Sequence, residues 1–341
     1  MKNGKRVIWF NHWFSQAYNF IELLKRDERN YMIASAKVSE FVFGAHADEV
    51  YTEPRGVDGR EYTEWCIEFC RKHSVDVFFA KRWFGEVIKH AEDFRSVGTE
   101  IAAEKSPELI KMLNSKKISC DYMRDHSLCP VPHTELITDA EKFPEAYDII
   151  RSVYGENSYV CAKADTDEGG VTYRRIYDEN NGKQFAEDIS YRAFYEDLLS
   201  RQRARGRIAP MVVMPYLNEP EISVDCMNIN GSLIAVPRYK TGTHITLLDF
   251  NEDIINTAEK ISSDLNIEYP YNLQMRKLCG EYVFMEINTR MAGGCYKADA
   301  VGCNFPQLAV SYRFGDLIDT GAIKKGFCNK KIGDVSAFVE L

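Results

Sequence analysis

The chain has 341 residues, of which 45% are hydrophobic and 28% charged, with a formal net charge of −8. Such a length calls for two or three packed units of an ordinary globular protein. The acidic balance argues against general nucleic-acid binding, which needs a basic surface, and no stretch reaches the roughly 18 apolar residues of a membrane span.

In chain order, residues 6–10 (Arg-Val-Ile-Trp-Phe) read as a buried first strand. Residues 16–26 carry apolar side chains at helical spacing, 31–35 form a second strand and 48–51 a short third. A helix over 62–72 places Trp65, Cys66, Phe69 and Cys70 on one face; 75–79 is another buried strand and 84–90 a short helix. Strands alternating with helices predict a parallel sheet, hence a Rossmann-like unit over 1–113. After the first strand comes Asn11-His12-Trp13-Phe14 and no G-x-G-x-x-G, so a dinucleotide site is not expected there. The same two polar residues, Asn11 and His12, break the apolar run at 7–10 too early for a signal peptide.

Ser106 and Pro107 start a helix running to about Asn114, and 116–125 is a further helix. From Pro132 on, the order changes to hairpins mixed with helices, which is α+β. Residues 159–163 and 171–176 read as strands joined by an acidic, glycine-rich turn containing Gly169 and Gly170. A polar helix covers 191–203 and a strand 211–214; the strands at 221–228 and 232–237 flank Asn230-Gly231, a hairpin signal. A helix over 254–265 precedes a strand pair at 273–276 and 281–288. The ten cysteines include no CxxC pair and read as reduced cytoplasmic thiols; Cys66 and Cys70 read as buried small hydrophobes.

The most informative stretch is 282–290, Tyr-Val-Phe-Met-Glu-Ile-Asn-Thr-Arg, followed by Met-Ala-Gly-Gly. On a strand, Glu286, Asn288 and, if the strand continues, Arg290 share one face, while Met285 and Ile287 face a core. Carboxylate and amide oxygens roughly 7 Å apart suit a hard divalent cation, and the arginine suits phosphate or carboxylate. Lys163, ending a strand before a glycine-rich turn, suits a phosphate. Met214-Pro215-Tyr216-Leu217 leaves its sheet through a proline, which exposes backbone groups that can read an adenine edge; Glu221, a turn later, suits ribose hydroxyls. Gln274 reaches the same cation if its strand pairs with the one carrying Glu286. Taken singly, each of these also fits an ordinary strand end, hairpin or exposed strand face.

Taken in order, the segments resemble the ATP-grasp superfamily, and within it the carbamoyl-phosphate-synthase large-subunit-like proteins, over nearly the whole chain. Asn114-Ser115-Lys116 resembles that family's Asp-Lys pair, followed by Leu128-Cys-Pro-Val-Pro132. Ser152-Val-Tyr-Gly155 and Val160-Cys-Ala-Lys163 resemble the lysine strand, and Gly169-Gly170-Val171 the glycine loop. Residues 214–217 resemble the adenine hinge, 221–225 the ribose segment, and 272–274 with 286–290 the magnesium strands. Some proteins of this type resemble members of tellurite-resistance-associated gene clusters.

The resemblance implies a Rossmann-like pre-ATP-grasp domain (1–113) followed by a two-lobed ATP-grasp fold (114–210 and 211–341). It implies that Lys116 and Lys163 bind ATP phosphates under Gly169 and Gly170, and that Met214, Pro215, Tyr216 and Leu217 hold adenine with Glu221 on the ribose. Gln274, Glu286 and Asn288 would hold two Mg²⁺ ions, with Mn²⁺ as a substitute; Arg290 would contact the transferred phosphoryl group or the substrate carboxylate, with Arg238 as a further candidate. The implied activity is a cytoplasmic carboxylate–amine ligase on small molecules, working through an acyl phosphate and giving ADP and phosphate, with a homodimer admitted. A phosphotransferase that stops short of the amide, or a silent ATP-binding regulatory module, are the alternatives. The sequence departs from the pattern at Ser115, where an aspartate is usual, and at Met214-Pro215, where a Glu-Glu or Glu-Lys pair is common. The acceptor pocket is expected near Asn11–Phe14 and Arg82-Trp83, residues that also fit aromatic packing at a domain interface.

Overall fold

Strand β1 (Arg6–Asn11) is apolar on both faces, as a central strand of a parallel sheet must be. In the computed structural model, which describes residues 4–166, 170–242, 244–318 and 330–333, it pairs in parallel with β2 (Asn30–Ala36) and with β4 (Val77–Phe79). Adding β3 (Glu49–Thr52) and β5 (Glu100–Ile101) gives the order β3-β2-β1-β4-β5. The order reverses between β1 and β4. Strand alternation splits the core: Ile8 and Phe10 pack with helix α1 (Ala17–Lys25), Val7 and Trp9 with α2 (Gly59–His73). A capping box, Asp58 with Glu61, starts α2. Cys66 and Cys70 are buried on that helix, as expected.

Short helices α3 (Phe84–Lys89) and α4 (Ala91–Ser96) lead to β5, and α5 (Pro107–Asn114) follows. The chain then divides into two compact units. One comprises Met1–Ile110, Ser223–Leu273 and Asn288–Leu341; the other comprises Lys111–Ile222 and Gln274–Ile287.

The second unit begins with α6 (Lys116–Asp125). Its five-stranded sheet contains β6 (Glu135–Ile137), β7 (Val160–Ala164), β8 (Arg174–Tyr177), β9 (Ile189–Ser190) and β10 (Met211–Pro215), in the order β6-β10-β7-β8-β9. Strand β10 runs antiparallel to β6 and β7, with Val212 opposite Lys163. Helices α7 (Phe143–Tyr154) and α8 (Tyr191–Arg205) close the core around Phe143, Tyr147, Ile150, Val160 and Phe194. Residues 152–155 therefore do not belong to the lysine strand, contrary to the sequence reading: Ser152, Val153 and Tyr154 end α7, and Gly155 caps it at φ 97°. The helical period shows at Phe143, Ala146, Tyr147 and Ile150, upstream of the four residues matched to a strand. Likewise the strand expected over 171–176 begins only at Arg174, because the Tyr173 amide turns back to the Gly170 carbonyl.

A six-stranded sheet runs β15-β14-β11-β12-β13-β16. Its members are β11 (Asn218–Ile229), β12 (Ser232–Lys240), β13 (Ile245–Leu248), β14 (Tyr271–Leu278), β15 (Glu281–Asn288) and β16 (Lys330–Gly333). Asn230 and Gly231, at φ 51° and 82°, form the two-residue turn the sequence announced. Cys279 and Gly280, at φ 51° and 90°, make the equivalent turn between β14 and β15. Strand β15 stops at Asn288 and does not reach Arg290. Its neighbour β14 starts directly after Pro270, which has no N–H to extend the ladder. Helix α9 (Glu252–Leu265) and, after a 3₁₀ turn, α10 (Phe305–Phe314) complete the first unit. No helix among the described residues is long and apolar enough to cross a membrane.

Candidate functional site

In the second unit Lys163 lies on β7, almost fully buried, with its Nζ 3.8 Å from the Glu286 carboxylate on β15. A buried ammonium beside a partly exposed carboxylate is a pair that a phosphate and a metal ion would join from opposite sides. Lys116 is buried too, at the first position of α6. Asp165, two residues beyond Lys163, ties the two lysine segments together. Its carbonyl accepts from the Lys116 amide at 3.0 Å and from Lys116 Nζ at 3.2 Å. Its carboxylate accepts from the Ser115 hydroxyl at 2.7 Å and the Lys117 amide at 2.9 Å. Ser115 also caps α6 by accepting from the Ile118 amide. The serine that breaks the Asp-Lys pattern thus works with a carboxylate supplied from β7's end, which the sequence reading passed over.

The hinge residues follow from the end of β10. Met214 and Leu217 are buried with Cys161 and Val283 in a small apolar cluster, and Tyr216, Leu278 and Met285 pack against it. An apolar floor of this kind suits a planar heterocycle. Pro215 has no N–H, and the Tyr216 amide donates to the Tyr159 carbonyl at 2.8 Å. Glu221 pairs with Arg276 at 3.2 Å, and Arg276 also donates to the Leu217 carbonyl at 3.4 Å. Arg276, which the sequence reading placed only at the end of a strand and not in the site, therefore joins the hinge to the residue expected at the ribose. Beneath the hinge, Cys161 lies 2.9 Å from the Tyr173 hydroxyl; burial pushes the thiol up to about 12, so it stays neutral.

Gly170 is exposed at φ 68°, a conformation glycine adopts without strain, whereas Gly169 lies outside the described residues. Gln274 and Glu286 are on the hydrogen-bonded neighbours β14 and β15, and both are half-buried. Among the described residues no three His, Cys, Asp or Glu side chains group as a metal centre. The donor set at Gln274, Glu286 and Asn288 is one carboxylate and two amide oxygens. That set fits Mg²⁺, a hard ion that takes few protein ligands and shares the rest with phosphates and water.

In the first unit, Arg238 is buried and held by Asp225: its Nε donates to one carboxylate oxygen and its Nη2 to the other at 2.9 Å. Asn272 donates to the same Asp225 oxygen at 2.9 Å, and Ser223 joins Asn272 at 3.1 Å. Gly294 is required beside this network, since a Cβ there would sit 2.7 Å from Arg238 Nη1. Arg238 is thus a member of a closed buried network as well as a catalytic candidate. Arg290 lies beyond the end of β15 with its guanidinium 5.3 Å from the Phe14 ring centroid.

Residues 207–334 match the family described as ATP-grasp in the biosynthetic pathway with Ter operon. No functionally curated protein matches the sequence. Among solved structures, the chain resembles the biotin carboxylase of Campylobacter jejuni in complex with β,γ-ATP, at 17% identity and a TM-score of 0.71, over 96% of this chain and 74% of that one. It resembles the biotin carboxylase domain of Hydrogenobacter thermophilus 2-oxoglutarate carboxylase, in complex with MgADP, ADP and bicarbonate, at 15% identity and 0.68, over 96% and 73%. A third likeness is to the L-amino acid ligase of Bacillus licheniformis, at 12% identity and 0.65, over 92% and 75%. The fold expected from the order of motifs, that of the ATP-grasp enzymes, is the fold observed, and residues 207–334 resemble the Ter-operon ATP-grasp family.

Proposed function

We propose that the protein is an ATP- and Mg²⁺-dependent ligase that joins a small-molecule carboxylate to an amine through an acyl phosphate. The observation that carries this reading is Lys163 Nζ at 3.8 Å from the Glu286 carboxylate, with Lys116 tied to the same strand end by Asp165. The solved neighbours support it, because one is a ligase and two are carboxylases or their domains with nucleotide bound.

In the proposed reaction a substrate carboxylate oxygen attacks the γ-phosphorus of ATP. The bond to the β,γ-bridging oxygen breaks and ADP leaves. The amine then attacks the acyl carbon, phosphate departs, and the amine's proton is lost to solvent. Lys116 and Lys163 hold the phosphates, and Gly169 and Gly170 are the loop residues assigned to them. Met214 and Leu217 form the floor for adenine; since Pro215 has no amide hydrogen and Tyr216's is spent, the Leu217 amide reads the ring. Glu221, oriented by Arg276, takes the ribose hydroxyls. Gln274, Glu286 and Asn288 would hold the Mg²⁺, two ions in this reading, with Glu286 supplying the one carboxylate. Bound Mg²⁺ would neutralise the charge that spreads over the transferred phosphoryl oxygens. Arg290 orients the substrate carboxylate, and Arg238 stays a supporting candidate through its network. The three-part division at 113/114 and 210/211, cytoplasmic placement and the carbamoyl-phosphate-synthase-like lineage belong to the same proposal.

The test is ADP release with Mg²⁺ and pooled carboxylates and amines, followed by mass spectrometry. An amide product with stoichiometric ADP supports the ligase. A phosphorylated product without condensation replaces it with a phosphotransferase.

A further inference from the structure

Two lysines grip a phosphate tail together only when their ammonium groups are held in a fixed relation before the nucleotide arrives. Here they come from different elements. Lys163 is fixed by the ladder of β7, whereas Lys116 opens α6 directly after a break in the chain. Helix α5 ends at Asn114, and Ser115 is extended at φ −83° and ψ 117°, so the helical ladder of α5 does not carry through to Lys116.

Asp165 closes that gap. It lies one residue beyond β7 and is itself pinned, its amide donating to the Pro210 carbonyl at 2.9 Å beside the pairing of Ala164 with Met211. Its acceptors fall on three consecutive residues. The carboxylate takes the Ser115 hydroxyl and the Lys117 amide, one on each side, and the carbonyl takes the amide and the ammonium of Lys116 between them. The Lys117 ammonium turns instead to Asp121 at 2.9 Å, so Asp165 engages Lys117 through its backbone. Ser115, Lys116, Lys163 and Asp165 are all buried and all belong to the second unit.

A buried carboxylate this close to phosphate-binding lysines is costly. It loses hydration and repels the anion the lysines attract. What it supplies is two acceptor oxygens on one rigid group, each making a charge-assisted hydrogen bond, which a hydroxyl cannot match. The Ser115 hydroxyl and the Asp165 carboxylate are only 2.7 Å apart, so a carboxylate carried by residue 115 would bring its charge to nearly the same spot.

We propose that Asp165 is a positioning residue of the phosphate site, fixing the Lys116 ammonium relative to Lys163, and that Ser115 and Asp165 work as one unit needing a single carboxylate at either position. The proposal rests on the nucleotide reading above. Asp165 acts through Lys116 and not on the nucleotide itself.

The test is calorimetric titration of the full chain with MgADP and, separately, with adenosine, which keeps base and ribose but has no phosphate. Asp165→Ser should weaken MgADP binding about tenfold or more and leave adenosine affinity within about twofold. Ser115→Asp, which sets two carboxylates within hydrogen-bond distance of each other, should also weaken MgADP about tenfold. The double exchange Ser115→Asp/Asp165→Ser should return MgADP affinity to within about threefold of wild type, a non-additivity that two independent residues would not show. Thermal unfolding checks that each variant is folded. Asp165→Asn, which keeps the size and one acceptor oxygen, takes the place of Asp165→Ser if the serine variant is not, and the same phosphate-selective loss is expected of it. Undiminished MgADP affinity in the Asp165 variant overturns the proposal. Equal losses of MgADP and adenosine also overturn it, since they mark a purely structural role, as does a double exchange no better than Asp165→Ser alone. A wild type that binds no MgADP overturns the nucleotide reading and this proposal together, which none of the other outcomes does.

Discussion

Arg175 and Asp188 form a buried two-pronged ion pair, with Nε and Nη2 donating to the two carboxylate oxygens at 2.8 and 2.9 Å. The guanidinium also meets three rings, Phe185 at 3.9 Å, Tyr216 at 4.8 Å and Tyr159 at 5.0 Å. Asp188 in turn accepts from the Gln184 and Phe185 amides. Through Tyr216 the pair braces the hinge from below. Asp188→Asn would leave a buried arginine without its counter-charge. A loss of about 3–5 kcal/mol in stability is expected, read by thermal unfolding, and MgADP binding should weaken with it. An unchanged unfolding midpoint would refute the bracing role.

The same pair gives a pH signature. Burial alone would raise the Asp188 pKa, but the Arg175 hydrogen bonds and the two amides outweigh it and bring the value to about 2. A carboxylate depressed in the folded state contributes stability that is complete above its unfolded pKa of roughly 4 and disappears as the pH falls towards the folded value. Wild-type stability should therefore fall between about pH 4 and about pH 2. That part of the acid profile should be flattened in Asp188→Asn, as urea midpoints across the range will show.

Glu286 is the single acidic donor of the proposed metal set. Glu286→Gln should reduce turnover by at least about a hundredfold and weaken Mg²⁺-dependent nucleotide binding, with folding intact by circular dichroism. Activity close to wild type in that variant would remove the assignment.

Arg276 holds Glu221 and the Leu217 carbonyl together. Arg276→Met should raise the KM for ATP about tenfold with little change in kcat, because it loosens ground-state binding rather than the phosphoryl chemistry. A fall in kcat at unchanged KM would contradict this placement.

Of the nine described cysteines, only Cys279 is exposed; Cys120, Cys129 and Cys161 are pushed up to about 12, chiefly by burial. Among these nine, brief iodoacetamide treatment of native protein should label Cys279 first, as peptide mass spectrometry will report. Rapid labelling of Cys161 would mean that the floor of the hinge opens.

What the sequence made legible was what repeats locally or keeps a familiar order. The β1 and α2 patterns, the Asn230-Gly231 turn and the succession from Lys163 to Glu286 all lie in short segments whose spacing is chemical. Strands β5, β6 and β9 have two or three residues each, too few for any period to show. Helix α10 escaped because Leu308, Tyr312 and Phe314 add apolar side chains outside the buried set of Phe305, Pro306, Ala309 and Val310, which blurs the polar face. Pairings such as Ser115 with Asp165, Arg175 with Asp188 and Glu221 with Arg276 join residues far apart in sequence with no motif to announce them. Those pairs are set by tertiary structure alone, and they explain both Ser115's departure from the usual pattern and the support of the hinge.

The boundaries of the two compact units fall after residues 110, 222, 273 and 287, inside α5, β11, β14 and β15 respectively. None of these four crossings lies in a loop. A protease that cuts at loops therefore cannot release either unit as one uninterrupted fragment, and ending an expressed fragment at any of the four positions would sever a hydrogen-bonded element. Trimming such a protein to a minimal working piece is a matter of shortening surface connections, since no tether joins one half to the other.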